Sequence, residues 1–325
     1  MNTLNNKEYK TYTISSNNIT IELTNLGAIM KRILVQHNNQ KLDIVLGFDN
    51  EQDYLENDST YFGAVIGRNA NRIEDSIFNI EGTQFHVESN EGNHNLHSGS
   101  SGFHTRKWDV VSHNEYSITF SLLSPHLDQG FPGELKMEVT YALTDDNAVE
   151  VTYKGRSDRL TVFNPTNHSY FNLNGHDSGD VLDHNLWLNS DKYSELNDES
   201  IPTGKQIEAT DTNMDFTEMR KISEDKTVEY DDNFILNSND IHQKAAMLIG
   251  DVTGIQMDVY TNSPCIQLYT GNGLDNVYGK KGTVYNKHAG VCLETQFEPN
   301  SINSNHPPLI DGEKEYKTIY RFSEF

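Results

Sequence analysis

Of the 325 residues, 48 are Asp or Glu and 25 are Lys or Arg, a formal net charge of −23. That balance repels phosphate backbones and anionic lipid, so nucleic-acid and membrane partners are excluded and a strongly anionic substrate is disfavoured. No apolar run approaches the ~18 residues of a spanning helix, Cys265 and Cys292 sit in apolar runs as buried thiols, and MNTLNNKEYK lacks a signal-peptide core, so a soluble, cytoplasmic protein without a disulfide framework is expected.

Residues 9–36 alternate. Tyr12 and Ile14 precede a turn at 15–18, Ile19, Ile21 and Leu23 follow at period two, and 29–35 form a third run after Gly27. This is the grammar of an antiparallel meander. Helical signals are poor: only 51–57 and 215–222 (DFTEMRKI) read as one or two turns. Runs 108–111 and 116–123 make a hairpin around His113-Asn114-Glu115. Leu135, Met137, Val139, Tyr141 and Leu143 alternate with Lys136, Glu138 and Thr140. A turn at Asp145-Asp146-Asn147 leads back through Val149, Val151 and Tyr153, giving a second hairpin with one buried face and one wet face. The polar stretches 191–212 and 300–312 read as the longest loops. With no repeat and no linker, the pattern predicts an all-β sandwich of many strands, one domain over residues 1–325.

Segment 160–175 reads LTVFNPTNHSYFNLNG. It opens as the end of a buried strand and then packs Asn164, Thr166, Asn167, His168, Ser169 and Asn172 among Tyr170, Phe171 and Leu173. Polar groups on an apolar segment must find partners inside the protein or on a ligand. His168 is its one proton-transfer group near neutral pH. A core histidine bonded to a backbone carbonyl satisfies the stretch equally well.

Other stretches add chemistry. GRNANRI (67–73) follows an apolar run and presents Arg68 and Arg72 as forks for oxygen pairs, with a solvated loop as the plain alternative. In NHNLHSG (93–99), His94 and His97 lie three apart, but no Cys or acidic residue stands at ligand spacing and no helix aligns them. His97 reads instead as a loop histidine that orients a ligand or simply lies at the surface. YDDNFIL (230–236) places one carboxylate, Asp231 or Asp232, where it accepts hydroxyl hydrogen bonds, or simply turns the chain into a strand. Gln267 lies between apolar residues and needs a partner, while Gly271-Asn272-Gly273 lacks the βαβ context of a nucleotide fingerprint. Glu294 follows a buried strand in VCLETQ (291–296). Burial raises a carboxyl pKa toward what a general base near neutrality needs. The structural alternative is an ion pair with Arg68 or Arg72.

Together these pieces resemble the galactose mutarotase (aldose 1-epimerase) family. The resemblance runs nearly end to end: GFD (47–49), YFGAVIGRNANRI (61–73), NHNLHSG (93–99), GFPGEL (130–135), NPTNHSYFNLNG (164–175), IPTG (201–204), YDDNF (230–234), QLYTGN (267–272) and CLETQ (292–296). It implies a large antiparallel β-sandwich, the galactose mutarotase-like supersandwich, with few short helices. It implies an isomerase that interconverts α and β anomers of an aldohexose such as D-galactose or D-glucose, as monomer or homodimer, with no metal or other cofactor. Residue by residue, the family's paired histidines fall on His97 and His168 and its catalytic glutamate on Glu294. Its sugar-binding residues fall on Asn71, Arg72, Asp231 and Gln267. Glu294 is then expected as general base and protonated His168 as general acid. One departure stands out: Asp232 occupies a position the family usually fills with histidine, adding negative charge near the expected site. A hexose-6-phosphate epimerase, a catalytically silent sugar-binding protein on the same fold and, less well matched, a glycoside hydrolase remain as alternatives.

Overall fold

A computed structural model describes residues 9–223, 227 and 229–324. The first eight residues of MNTLNNKEYK lie outside the described residues. The three strands that the alternation predicts form, Thr11–Ser15, Ile19–Thr24 and Met30–His37, and a fourth that it does not, Gln40–Asp43, joins them in order as an antiparallel four-stranded sheet. The one α-helix among the described residues, Glu51–Glu56, starts where the Asn50 side chain accepts from the Asp53 N–H.

Nine strands make the largest sheet. Its order is Asp109–His113, Ser117–Ser124, Leu135–Leu143, Ala148–Val162, Leu309–Glu324, Ile255–Thr261, Lys244–Ile249, Asn185–Leu188 and Arg220–Lys221. Both predicted hairpins are present, with Val110 opposite Phe120 and Val139 opposite Tyr153. A five-stranded sheet runs Pro202–Glu208, Lys192–Leu196, Asp231–Ile235, Cys265–Tyr269 and Cys292–Gln296. One apolar core takes Met137, Val139 and Tyr141 from the large sheet, Phe234, Ile266, Leu268 and Leu293 from the small one, and Ile21 and Ile33 from the meander. The architecture is an all-β antiparallel sandwich with few short helices, as expected.

Two expectations are corrected. The stretch 191–212 is not a loop but two paired strands, Lys192–Leu196 and Pro202–Glu208. Pro202–Glu208 is the sheet's largely solvated edge strand, and Lys192–Leu196 beside it buries only Ser194, so no apolar alternation marks either. Segment 215–222 forms no helix; it turns into the short strand Arg220–Lys221, with the Arg220 guanidinium 3.8 Å from the Phe216 ring centre. In 300–312 a single 3₁₀ turn at Ser301–Asn303 precedes the last strand, which already starts at Leu309.

Alternation in the small sheet separates its two faces. Phe234, Ile266, Leu268 and Leu293 turn to the core, so Asp231, Asn233, Gln267, Cys292 and Glu294 turn the other way. Asn233 stands opposite Gln267, and Gln267 opposite Glu294. Segment 164–171 crosses above this polar face. It is pinned by Thr166–Asn167 pairing with Val65–Ile66 and by Phe171 bridging Val45 and Val291.

Candidate active site

The crossing segment explains most of its own polar residues, although the buried Thr166 hydroxyl finds no partner among the described residues. The Asn164 carboxamide accepts from the Phe297 N–H at 2.9 Å, and that of Asn167 donates to the Gly63 carbonyl at 2.9 Å and accepts from the Ser169 hydroxyl at 2.6 Å. The Asn172 amide donates to the Gly179 and Ala289 carbonyls. These residues satisfy backbone that changes direction inside the protein. The imidazole of His168 is left over for a cleft.

That cleft has a volume of about 160 Å³, and its walls include Tyr61, Asn71, Arg72, Glu91, His97, His168, Asp231, Tyr269 and Glu294. Larger hollows of about 250 and 480 Å³ run beside Asn18 and Asn147, but they hold no paired acid and base. Glu294 Oε1 lies 3.6 Å from His168 Nε2, and both side chains are buried. Glu294 Oε2 finds no hydrogen-bond partner among the described residues. Burial, and after it the negative charge of Asp231, pushes the Glu294 carboxyl well above the usual carboxylate range. Burial drives His168 down to about 3. Burial thus disfavours the charged form of both groups, which favours a single proton held on the carboxyl with both groups neutral. On the far side of the ring, His168 Nδ1 lies 3.5 Å from the Cys292 thiol, which burial keeps protonated.

His97 Nδ1 accepts from the Asn71 N–H at 3.1 Å, which leaves Nε2 as the protonated nitrogen. Burial and then the neighbouring histidines hold His97 neutral, well below its ordinary range. The contact is built by backbone: Asn71 (φ 61°) and His97 (φ 52°) both adopt the left-handed region, turning the two loops face to face. The Asn71 carboxamide oxygen accepts from the Arg72 N–H, so its amide nitrogen remains as a donor. Arg72 is gripped by Glu91 in a two-pronged pair, Nε to Oε2 at 2.6 Å and Nη2 to Oε1 at 2.9 Å, with Nη1 3.9 Å from Asp231. Burial opposes the charge of Arg72, but Glu91 and Asp231 more than offset it.

Six of the seven expected residues thus line one cleft. Gln267 lies one hydrogen bond behind, donating to Asp231 Oδ1 at 2.8 Å, with its buried Oε1 unpartnered among the described residues. Arg68 is no partner of Glu294. Its buried guanidinium donates to Ser124, Pro125, Pro132 and Thr161. Asp232 does not line the cleft either; it caps its own backbone by accepting from the Asp231 N–H at 3.1 Å, and burial raises it to about 6. His94 and His97 do not converge, since His94 Nδ1 is taken by the Asp75 N–H. Among the described residues no group of three or more His, Cys, Asp or Glu side chains is placed to hold a metal.

Sequence reasoning missed Tyr61, Glu91, Tyr170 and Tyr269. Tyr61 sits in an apolar run and Glu91 in a polar loop, where each reads as ordinary core or ordinary surface.

The arrangement offers an acid–base pair, a fixed N–H donor and a charged fork around a polar cleft, which suits a hydroxyl-rich small molecule. Comparisons with known proteins agree. The family model described as Aldose 1-epimerase matches residues 10–322. The galactose mutarotase of Sus scrofa is 36% identical over 315 residues, covering 94% of this chain and 91% of its own. The aldose 1-epimerase of Haemophilus influenzae is 35% identical over 321 residues, covering 96% and 93%. The solved structure of an aldose epimerase homologue from C. elegans superposes with a TM-score of 0.91 at 28% identity, covering 97% of this chain and 99% of that one. On sequence and on fold alike, the chain belongs to the aldose 1-epimerase family of isomerases.

Proposed function

We propose that the cleft opens and recloses the ring of an aldohexose, galactose or glucose, interconverting its α and β anomers with Glu294 as general base and His168 as general acid. The observation that carries this reading is the buried Glu294–His168 pair, 3.6 Å apart on the wall of a polar cleft. When the sugar O1–H donates to the Glu294 carboxylate it favours the charged form, and the shared proton passes to His168. Glu294 then takes the O1 proton as the C1–O5 bond breaks, and His168 Nε2 delivers its proton to O5. The open-chain aldehyde rotates about C1–C2 and closes from its other face. His168 takes the O5 proton back, Glu294 returns its proton to O1, and both groups end as they began. His97 Nε2–H donates to the ring oxygen or O1. Arg72, Asn71 and Asp231 hold other hydroxyls, and Gln267 holds Asp231. The largest apolar core, drawing residues from Ile14 to Phe322, supports treating the chain as one domain.

Polarimetry on freshly dissolved α-D-galactose tests the reading. Wild-type protein speeds the decay of rotation, and Glu294→Gln and His168→Asn each lower kcat by at least roughly 10²-fold. A Glu294→Gln protein that turns over like wild type would remove Glu294 as the base.

A further inference from the structure

Tyr61 is the hub of the site's aromatic contacts. Its ring centre lies 4.7 Å from His97, 4.8 Å from His104 and 5.5 Å from His168. Among the described residues it is the one ring that meets all three of these histidines. Toward His97 and His104 the contacts are edge-to-face, at 62° and 63°. Toward His168 the rings stack at 27°, and Tyr170 also stacks on His168, at 5.1 Å and 28°. The imidazole plane is therefore set by two tyrosine rings, while its edge meets His97 at 77°.

The backbone is shaped to put Tyr61 there. It ends a short 3₁₀ turn in the left-handed region, φ 54°, a conformation that strains a non-glycine residue. Immediately after it the chain is knitted to the His168 segment: the Gly63 N–H donates to the His168 carbonyl at 2.9 Å, and the His168 N–H to the Ala64 carbonyl at 2.9 Å. Tyr61 and His168 thus sit on two segments that cannot shift independently.

We infer that Tyr61 is a positioning residue, whose ring fixes the plane of His168 so that Nε2 faces Glu294 and the sugar ring oxygen, and whose π face stabilises the imidazolium formed when the proton passes to His168. A cation above an aromatic face gains most in a desolvated site. That stabilisation acts on the charged form, the one burial penalises most. It is the ring that does this, not the hydroxyl. The inference rests on His168 being the proton-transfer group.

The test is a comparison of Tyr61→Phe, Tyr61→Leu and His168→Asn by polarimetry, with folding checked by thermal melting. The leucine variant loses at least about tenfold in kcat while KM stays within about threefold, because geometry at the proton and not sugar affinity is disturbed. The phenylalanine variant recovers most of that loss. Should the leucine variant melt below the assay temperature, Tyr61→Met, unbranched and of similar reach, is read the same way. A leucine or methionine variant with kcat within about twofold of wild type overturns the inference. So does a phenylalanine variant as slow as leucine, since the hydroxyl would then be the active part. An inactive His168→Asn beside a fully active Tyr61→Leu removes only the role of the tyrosine, whereas an active His168→Asn removes the proposed function itself.

Discussion

A pair of ionisable groups that share one proton titrates as a unit, and that governs how this site should respond to pH. His168 is held down to about 3 and Glu294 is pushed well above its usual range, both by burial. Between those limits the pair keeps one proton and the catalytic set is complete. As pH falls through the lower limit a second proton binds and the base is lost; as pH rises through the upper one the pair's only proton leaves and the acid is lost. The expected kcat/KM profile therefore shows no acid-side loss near the ordinary histidine value of about 6.5. Polarimetric rates from about pH 5 to about pH 9 check this, and a decline centred near 6.5 would mean that His168 titrates as an exposed histidine does. At this scale the sequence is most legible where a polar residue interrupts an apolar strand, as at Gln267 and Glu294, because burying it without a task is costly. It is least legible where residue type and surroundings agree. Arg68 and Arg72 look alike in GRNANRI, yet one is walled into the protein and the other opens on the cleft. Glu91 looks solvated in the sequence and instead steers Arg72.

The element that turns this chemistry into a site is the strand Cys292–Gln296 with the segment crossing above it. Period-two alternation places Glu294 on the polar face, and the pairing of 166–167 with 65–66 sets His168 over it. Arg68 anchors this arrangement from behind, its guanidinium donating five hydrogen bonds to Ser124, Pro125, Pro132 and Thr161. Replacing it by methionine keeps the length but strands those acceptors in a buried position. Arg68→Met is expected to cost about 3–5 kcal/mol, read as a lower urea midpoint. An unchanged midpoint would show the guanidinium to be dispensable. Hairpins and meander were readable in the sequence because one of their faces is buried and the other wet. The two strands in 191–212 were not, since Pro202–Glu208 is a solvated edge strand and Lys192–Leu196 buries only the polar Ser194, so neither carries an apolar alternation.

At the scale of the whole molecule, the net charge of −23 acts with the local balance of the cleft. Glu91 and Asp231 offset Arg72 there, so the fork that faces the substrate is already neutralised, and no second Arg or Lys is among the lining residues. A neutral sugar enters such a site at no electrostatic cost. A phosphate on C6 would bring its charge into a field of its own sign without a cationic partner, and like charges brought together this way cost several kcal/mol. Galactose is therefore expected to compete with the mutarotation substrate while galactose 6-phosphate binds at least about tenfold more weakly at low salt. Because part of that penalty is long-range, the gap should narrow as ionic strength rises and the Debye length falls from about 30 Å at 0.01 M to about 8 Å at 0.15 M. Calorimetric titration of both sugars at the two salt concentrations measures this. Equal affinities would place a phosphate-binding cation that these residues do not provide, and would turn the proposed substrate toward sugar phosphates. A gap that does not change with salt would assign the discrimination to close contacts in the cleft rather than to the charge of the molecule.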